Sequence, residues 1–125
     1  MRFIKQNQLA TSLTATLCKQ IVEIDKTITV APGTTNSFTA LVGYDIYEIK
    51  TVTASTDTGD SVSVSMYEDS TFTKQIYQSL PQSLIQDIVV VPVKDKSGAQ
   101  SAYISVNNSS PNTVVVTLVI KVVNL

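Results

Sequence analysis

The feature that most constrains this fold is a repeated alternation of apolar and polar residues with a period of two. In residues 61–66, Val62, Val64 and Met66 alternate with three serines. Successive side chains of a β-strand point in opposite directions, so this pattern predicts a strand with one buried face. Similar alternation is found in residues 22–30, 102–107 and 114–122. A 3.6-residue stripe typical of a helix is not evident from residue 21 onward, which favours an all-β fold.

Turn-forming residues separate these segments. The pair Pro32-Gly33 has the chemistry of a type II turn, because proline presets φ and glycine accepts a positive φ. Polar stretches at residues 55–60, 94–98 and 107–112 predict three more connections. The last of these is short, so we expect the strands on either side of it to pair as a hairpin.

The remaining segments complete the predicted set of strands. Alternation at residues 38–42 before Gly43 predicts one strand, and residues 44–54, rich in tyrosine, isoleucine, valine and threonine, predict another. Residues 88–93 form an unbroken apolar run, which predicts a strand covered on both faces. Residues 68–86 are irregular, and we expect a long packed loop with a short strand near residues 74–77. About eight strands separated by turns predict an antiparallel β-sandwich or jelly roll over residues 21–125.

Residues 1–20 form a separate amino-terminal segment. Leu9, Leu13 and Leu17 are spaced four apart, which fits either a helical stripe or one face of a strand. The threonine and serine residues between them favour a first strand or an extended arm. An arm of this kind could reach a neighbouring subunit, so these leucines are candidate interface residues.

The final predicted strand is apolar on both faces. Val115, Val119 and Val123 lie opposite the row that begins at Val114. One sheet face cannot bury both rows, and each buried valine contributes roughly 1.5 kcal/mol or more. We therefore expect the outward valines to be covered, either by residues 1–20 or by another subunit.

Composition argues against most enzyme mechanisms. The chain has no histidine, and Cys18 is its single cysteine. Histidine-dependent catalytic pairs, an intramolecular disulfide and the commonest zinc ligand are thereby excluded. We therefore expect no enzyme activity, no catalytic residues, no cofactor and no metal.

Charge and hydropathy also limit the expected partners. The formal net charge of −1 provides no field that would attract nucleic acid or an anionic membrane. No apolar stretch approaches the roughly 20 residues of a membrane span. Polar residues interrupt the amino-terminal stretch where a secretion signal needs a continuous apolar run.

Three local patterns leave other interpretations open. Asp57-Thr58-Gly59 matches the active-site triplet of aspartic proteases, although polar residues precede it, and a solvated turn explains it as well. Acidic loop residues could in principle hold Ca²⁺, and tyrosines could form a platform for sugars. The acidic residues are Asp57, Asp60, Glu68 and Asp69, and the tyrosines are Tyr44, Tyr47, Tyr67, Tyr77 and Tyr103.

Three segments together resemble small β-sandwich proteins of tailed bacteriophage virions. They are the turn at residues 30–35, the strand at 62–67 with its Glu68-Asp69-Ser70 exit, and residues 102–108 before a valine-rich last strand. The resemblance implies a capsid decoration or cement protein, or a small head or tail accessory protein.

Such a protein would form homo-oligomers, of which a trimer is one option, and would contact the major capsid or other virion proteins without a small-molecule substrate. The expected location is the virion, after synthesis in the host cytoplasm. The alternative function is a carbohydrate-binding or host-adhesion module.

Overall fold

A computed structural model describes residues 20–125, and it confirms the all-β prediction with eight strands and no helix in that range. No helix that could cross a membrane occurs in these residues. The predicted arm, with Leu9, Leu13 and Leu17, lies outside the described residues. The strands are β1 (Ile21–Val30), β2 (Thr34–Leu41), β3 (Ile46–Thr56), β4 (Val62–Tyr67), β5 (Gln75–Gln78), β6 (Leu84–Lys94), β7 (Ser101–Asn108) and β8 (Val114–Asn124).

The strands form two four-stranded sheets. Sheet A has the order β1-β8-β3-β6, and sheet B has the order β2-β7-β4-β5. All pairings between strands are antiparallel. Every connection except the one from β4 to β5 passes from one sheet to the other, which is the arrangement of a jelly roll.

The core consists of the inward-facing residues of both sheets. In β8, five alternate residues are fully buried, and in β4 the predicted row of Val62, Val64 and Met66 is buried as well. The buried residues of β8 are Val114, Val116, Leu118, Ile120 and Val122. The period-two pattern therefore predicted correctly which face of each of these strands meets the core.

The predicted hairpin between the last two strands is wrong. β7 pairs with β2 and β4 in sheet B, whereas β8 pairs with β1 and β3 in sheet A. Alternation specifies the buried face of a strand but not the strand beside it. The turn residues between β7 and β8 instead carry the chain across the sandwich.

A buried asparagine organises that crossing. Asn108 is fully buried, and its side-chain nitrogen donates to the backbone oxygens of Val30 at 3.1 Å and Asn112 at 2.7 Å. Its side-chain oxygen accepts a hydrogen bond from the Ser110 nitrogen at 3.0 Å. The side chain thus ties the β7–β8 connection to the end of β1 in the opposite sheet.

The expectation that residues 88–93 are covered on both faces is also wrong. They belong to β6, which is the edge strand of sheet A and pairs only with β3. Ile88 is 83% exposed and Val90 is 54% exposed. A continuous apolar run is typical of a central strand, and here it occurs on an edge.

A buried carboxylate lies near the start of β7. Asp95 is 4% exposed, and it accepts hydrogen bonds from the backbone nitrogens of Ser97 and Ser101 and from the Tyr103 hydroxyl. The hydroxyl of buried Tyr47 donates to the Ser101 backbone oxygen at 3.1 Å. Burial raises the pKa of both phenols, and the Asp95 charge adds to the effect. The sequence contained no signal for this cluster.

These phenols should make the fold sensitive to alkali. Because the pKa of Tyr47 is higher in the folded chain than the unfolded value of about 10, its contribution to stability is complete below that pH and is lost above it. We expect the free energy of unfolding to fall less steeply in Tyr47→Phe than in the unaltered chain between about pH 9 and pH 11. Urea unfolding followed by circular dichroism measures both slopes, and equal slopes would contradict the prediction.

Candidate assembly surface

The most distinctive surface among the described residues is the outer edge of β6. Four of the eight large apolar side chains that are exposed lie in residues 80–90. An edge strand presents unpaired backbone donors and acceptors, and natural proteins usually protect such an edge with charges or bulges. We call Leu80, Leu84, Ile88 and Val90 the β6 edge patch.

A bulge interrupts the pairing of β6 with β3. Ile49 pairs with Val91 and Thr51 pairs with Ile88, so two residues of β6 lie opposite one residue of β3. Val90 in this bulge has a φ of 51°, a conformation that costs a residue other than glycine roughly 1–3 kcal/mol. Val90 and Ile88 are both exposed and lie two residues apart, so both contribute apolar area at the site of the bulge.

The outward valines of β8 share one face, as their spacing requires. Val115 and Val119 are half-buried and Val123 is 7% exposed. Val119 lies between Asp25 of β1 and Thr53 of β3 in the middle of sheet A. The contact of these valines with another subunit or with residues 1–20 remains a prediction.

Asp57-Thr58-Gly59 forms a turn between β3 and β4. The Asp57 side chain accepts a hydrogen bond from the Val115 nitrogen at 2.9 Å, and the Asp57 nitrogen donates to the Val115 oxygen at 3.1 Å. Gly59 has a φ of 78°, which explains the glycine. The carboxylate therefore extends the pairing of β3 with β8, and the turn interpretation is confirmed.

The other acidic residues do not converge on a metal site. No group of three or more histidine, cysteine, aspartate or glutamate side chains suited to a metal occurs in residues 20–125. Asp69 instead accepts hydrogen bonds from the backbone nitrogens of Thr73 at 3.1 Å and Lys74 at 3.0 Å. Hydrogen bonds from the Thr71 and Thr73 hydroxyls hold the pKa of the Asp69 carboxyl well below its ordinary range.

The five tyrosines do not form a common exposed platform. Tyr47 and Tyr103 are buried, and the Tyr77 hydroxyl donates to the Asp87 carboxylate at 2.6 Å. Tyr67 packs edge-to-face on Phe72 with a centroid distance of 5.4 Å. The structure therefore does not support a sugar platform made from the tyrosines together.

Comparison with known proteins gives a likeness of fold. No protein-family model matches the sequence, and neither does any curated protein. The fold is similar to that of a chain from Bacillus endospore appendages, which are described as a novel family of disulfide-linked pili. The TM-score is 0.51 at 17% sequence identity, over 86% of this chain and 91% of that chain. The similarity shows a shared β fold.

The turn at Asp57 provides a test of its structural role. We expect Asp57→Ala to lower the free energy of unfolding by about 1 kcal/mol, because the Val115 nitrogen loses its acceptor. Asp57→Asn is the matched control, since it keeps an acceptor oxygen and should lose less. Chemical unfolding of the three proteins measures the difference. Peptidase activity that both substitutions abolish in folded protein would contradict the turn interpretation.

Proposed function

We propose that this chain is a non-enzymatic structural subunit that assembles with other copies of itself through the β6 edge patch. The observation that carries the proposal is the combination of an edge strand that pairs on one side only with exposed apolar side chains on the same strand. A second copy can satisfy both features, because a paired strand supplies backbone hydrogen bonds and covers the side chains.

Burial of the apolar side chains at this edge would contribute measurably to the free energy of association. Burial of Ile88, which is 83% exposed, would contribute roughly 1.5–2.5 kcal/mol before the cost of association, and burial of Leu84, which is 52% exposed, would contribute roughly half of a full side-chain value. The bulge at Val90 shortens the regular part of the edge, which limits how a partner strand can align. Pairing would therefore have a preferred register, as an ordered assembly requires.

The similar fold in the endospore appendages supports an assembly function, because that chain comes from a pilus. The disulfide links named for those pili cannot be carried over to this chain in the same form. One cysteine can form only one disulfide, so the 125 residues cannot join each copy covalently to two neighbours. We propose that association beyond a pair of these chains is non-covalent.

A finer form of the proposal places the subunit on a bacteriophage virion, as a decoration or cement protein bound to the major capsid protein. Oligomers bound to an assembled lattice, but not to its separate parts, would stabilise that lattice by mass action. In this form the half-buried Val115 and Val119 would contact neighbouring subunits, whereas Val123 at 7% exposed has little surface left to contribute. The support is the resemblance of the sequence segments and the exposed β6 edge patch.

The assembly proposal predicts a concentration-dependent native mass. We expect sedimentation velocity to show oligomers of the full chain, and we expect Ile88→Glu to weaken association at least about tenfold, which is 1.4 kcal/mol. A buried, unpaired carboxylate in the new interface is the reason. Val119→Glu tests the outward valines of β8 in the same way.

Gln78→Glu is the matched control, because it adds the same charge at an exposed position of β5 in the other sheet. It should associate like the unaltered chain. A strictly monomeric chain at all concentrations, or an Ile88→Glu variant that assembles normally, would contradict the proposal.

A further inference from the structure

The outer face of sheet B carries an uncharged array of hydrogen-bonding side chains. The register of the four strands pairs these residues with one another, so they share the face turned away from the core, and a bulge in β5 brings both of its glutamines to that face. We call this array the hydroxyl-amide face. Its accessible members are Thr35, Ser37 and Thr39 of β2, Asn107 of β7, Ser63 and Ser65 of β4, and Gln75 and Gln78 of β5, while Ser105 of β7 lies in the same array but is buried.

The strand register aligns these side chains in rows across the sheet. One row runs Ser37, Ser105, Ser65 and Gln78, and the Ser37 and Ser105 hydroxyl oxygens lie 2.7 Å apart. A neighbouring row begins with Thr35 and Asn107, where the asparagine nitrogen donates to the threonine hydroxyl at 2.8 Å. Four strands at a spacing of about 4.8 Å give the face a width of roughly 14 Å.

The outer face of sheet A is different. Its outward positions include charged residues in all four strands, namely Glu23 and Asp25 of β1, Glu48 of β3, Lys94 of β6 and Lys121 of β8. The neutrality of the hydroxyl-amide face is therefore a property of one sheet and not of the whole protein. Neutral hydroxyl and amide groups lose less hydration energy on binding than ions do, provided that they regain hydrogen bonds.

An aromatic cluster adjoins this face. Phe72 packs edge-to-face between Tyr67 and Tyr103, with centroid distances of 5.4 and 5.9 Å. Tyr67 and Phe72 are half-buried. Phe72 has a φ of 55°, and the hydrogen bonds accepted by Asp69 hold the loop that carries it. The loop thus holds the Phe72 ring at one end of the hydroxyl-amide face, beside the polar rows.

We propose that the hydroxyl-amide face and the Phe72 ring bind a neutral polysaccharide. A sugar polymer has hydroxyl groups that both donate and accept hydrogen bonds, and the apolar faces of its rings can pack on an aromatic side chain. Anionic polymers would require lysine or arginine, which the named positions lack. A protein partner would need an apolar interface centre, whereas the apolar side chains on this face, Phe72, Tyr67 and exposed Leu41, lie at one end of it.

The proposal goes beyond assembly and is independent of it. Each copy would contribute a weak site, because single hydrogen bonds to neutral groups add only about 0.5–1.5 kcal/mol. An assembly with many parallel copies would bind one polymer at several points, which raises the overall affinity without new contacts.

The test is co-sedimentation of the folded full chain with insoluble cellulose, chitin and starch, and affinity electrophoresis in gels containing dextran or galactomannan. Hyaluronate serves as the anionic polymer. We expect retention on at least one neutral polymer and none on hyaluronate. Failure to bind any neutral polymer, or equal binding to hyaluronate, would overturn the proposal.

Three variants locate the site. Ser65→Glu places a charge in the middle of the face and should weaken binding at least tenfold, about 1.4 kcal/mol. Phe72→Gly should weaken it as well, and glycine accepts the positive φ, so the loop should keep its conformation. Thr117→Glu is the matched control on the exposed outer face of sheet A and should bind normally.

Polymer binding by the Ile88→Glu variant, in which assembly is weakened, shows whether the binding depends on assembly. If the assembly proposal fails and the chain is a monomer, binding to the neutral polymer should still be lost in Ser65→Glu. Binding that neither Ser65→Glu nor Phe72→Gly reduces, with both variants folded by circular dichroism, would place the polymer elsewhere and overturn the proposal.

Discussion

The burial of one apolar row from each central strand between two facing sheets is the constraint on which this structure depends. The five inward residues of β8 are inaccessible to solvent, and they face the buried rows of β4 and β7 across the sandwich. Because side chains alternate, burying one row fixes the other row on an outer face. The residues of the two outer faces and of the sheet edges are not needed for the core, so they can take part in binding.

The sequence predicted the elements whose pattern is local. The alternation in β4 and β8 and the Pro32-Gly33 turn, where Gly33 has a φ of 65°, were visible without coordinates. Strand order was not, because the turn before β8 could lead either to a hairpin or across the sandwich. The buried side chain of Asn108 stabilises the crossing, and the two residues to which it donates, Val30 and Asn112, lie far apart in the sequence.

Whether the candidate surfaces can be predicted from the sequence depends on the same difference between local pattern and strand order. The apolar run at residues 88–93 indicated burial, but only strand order reveals that β6 is an edge and that Ile88 is exposed. The rows of the hydroxyl-amide face likewise need the register of four strands, of which β2 and β5 are distant in sequence. A neutral face and an apolar edge on different sheets would allow the chain to assemble without covering the binding face.

Hydrogen exchange of the β6 backbone, measured by mass spectrometry as a function of protein concentration, tests the central claim most directly. If β6 pairs with a second copy, the backbone amides on its unpaired edge should become protected from exchange as the protein concentration rises. The amides of β8 should stay protected at all concentrations. Rapid exchange in β6 that does not change with concentration, in a chain that nevertheless assembles, would contradict the account.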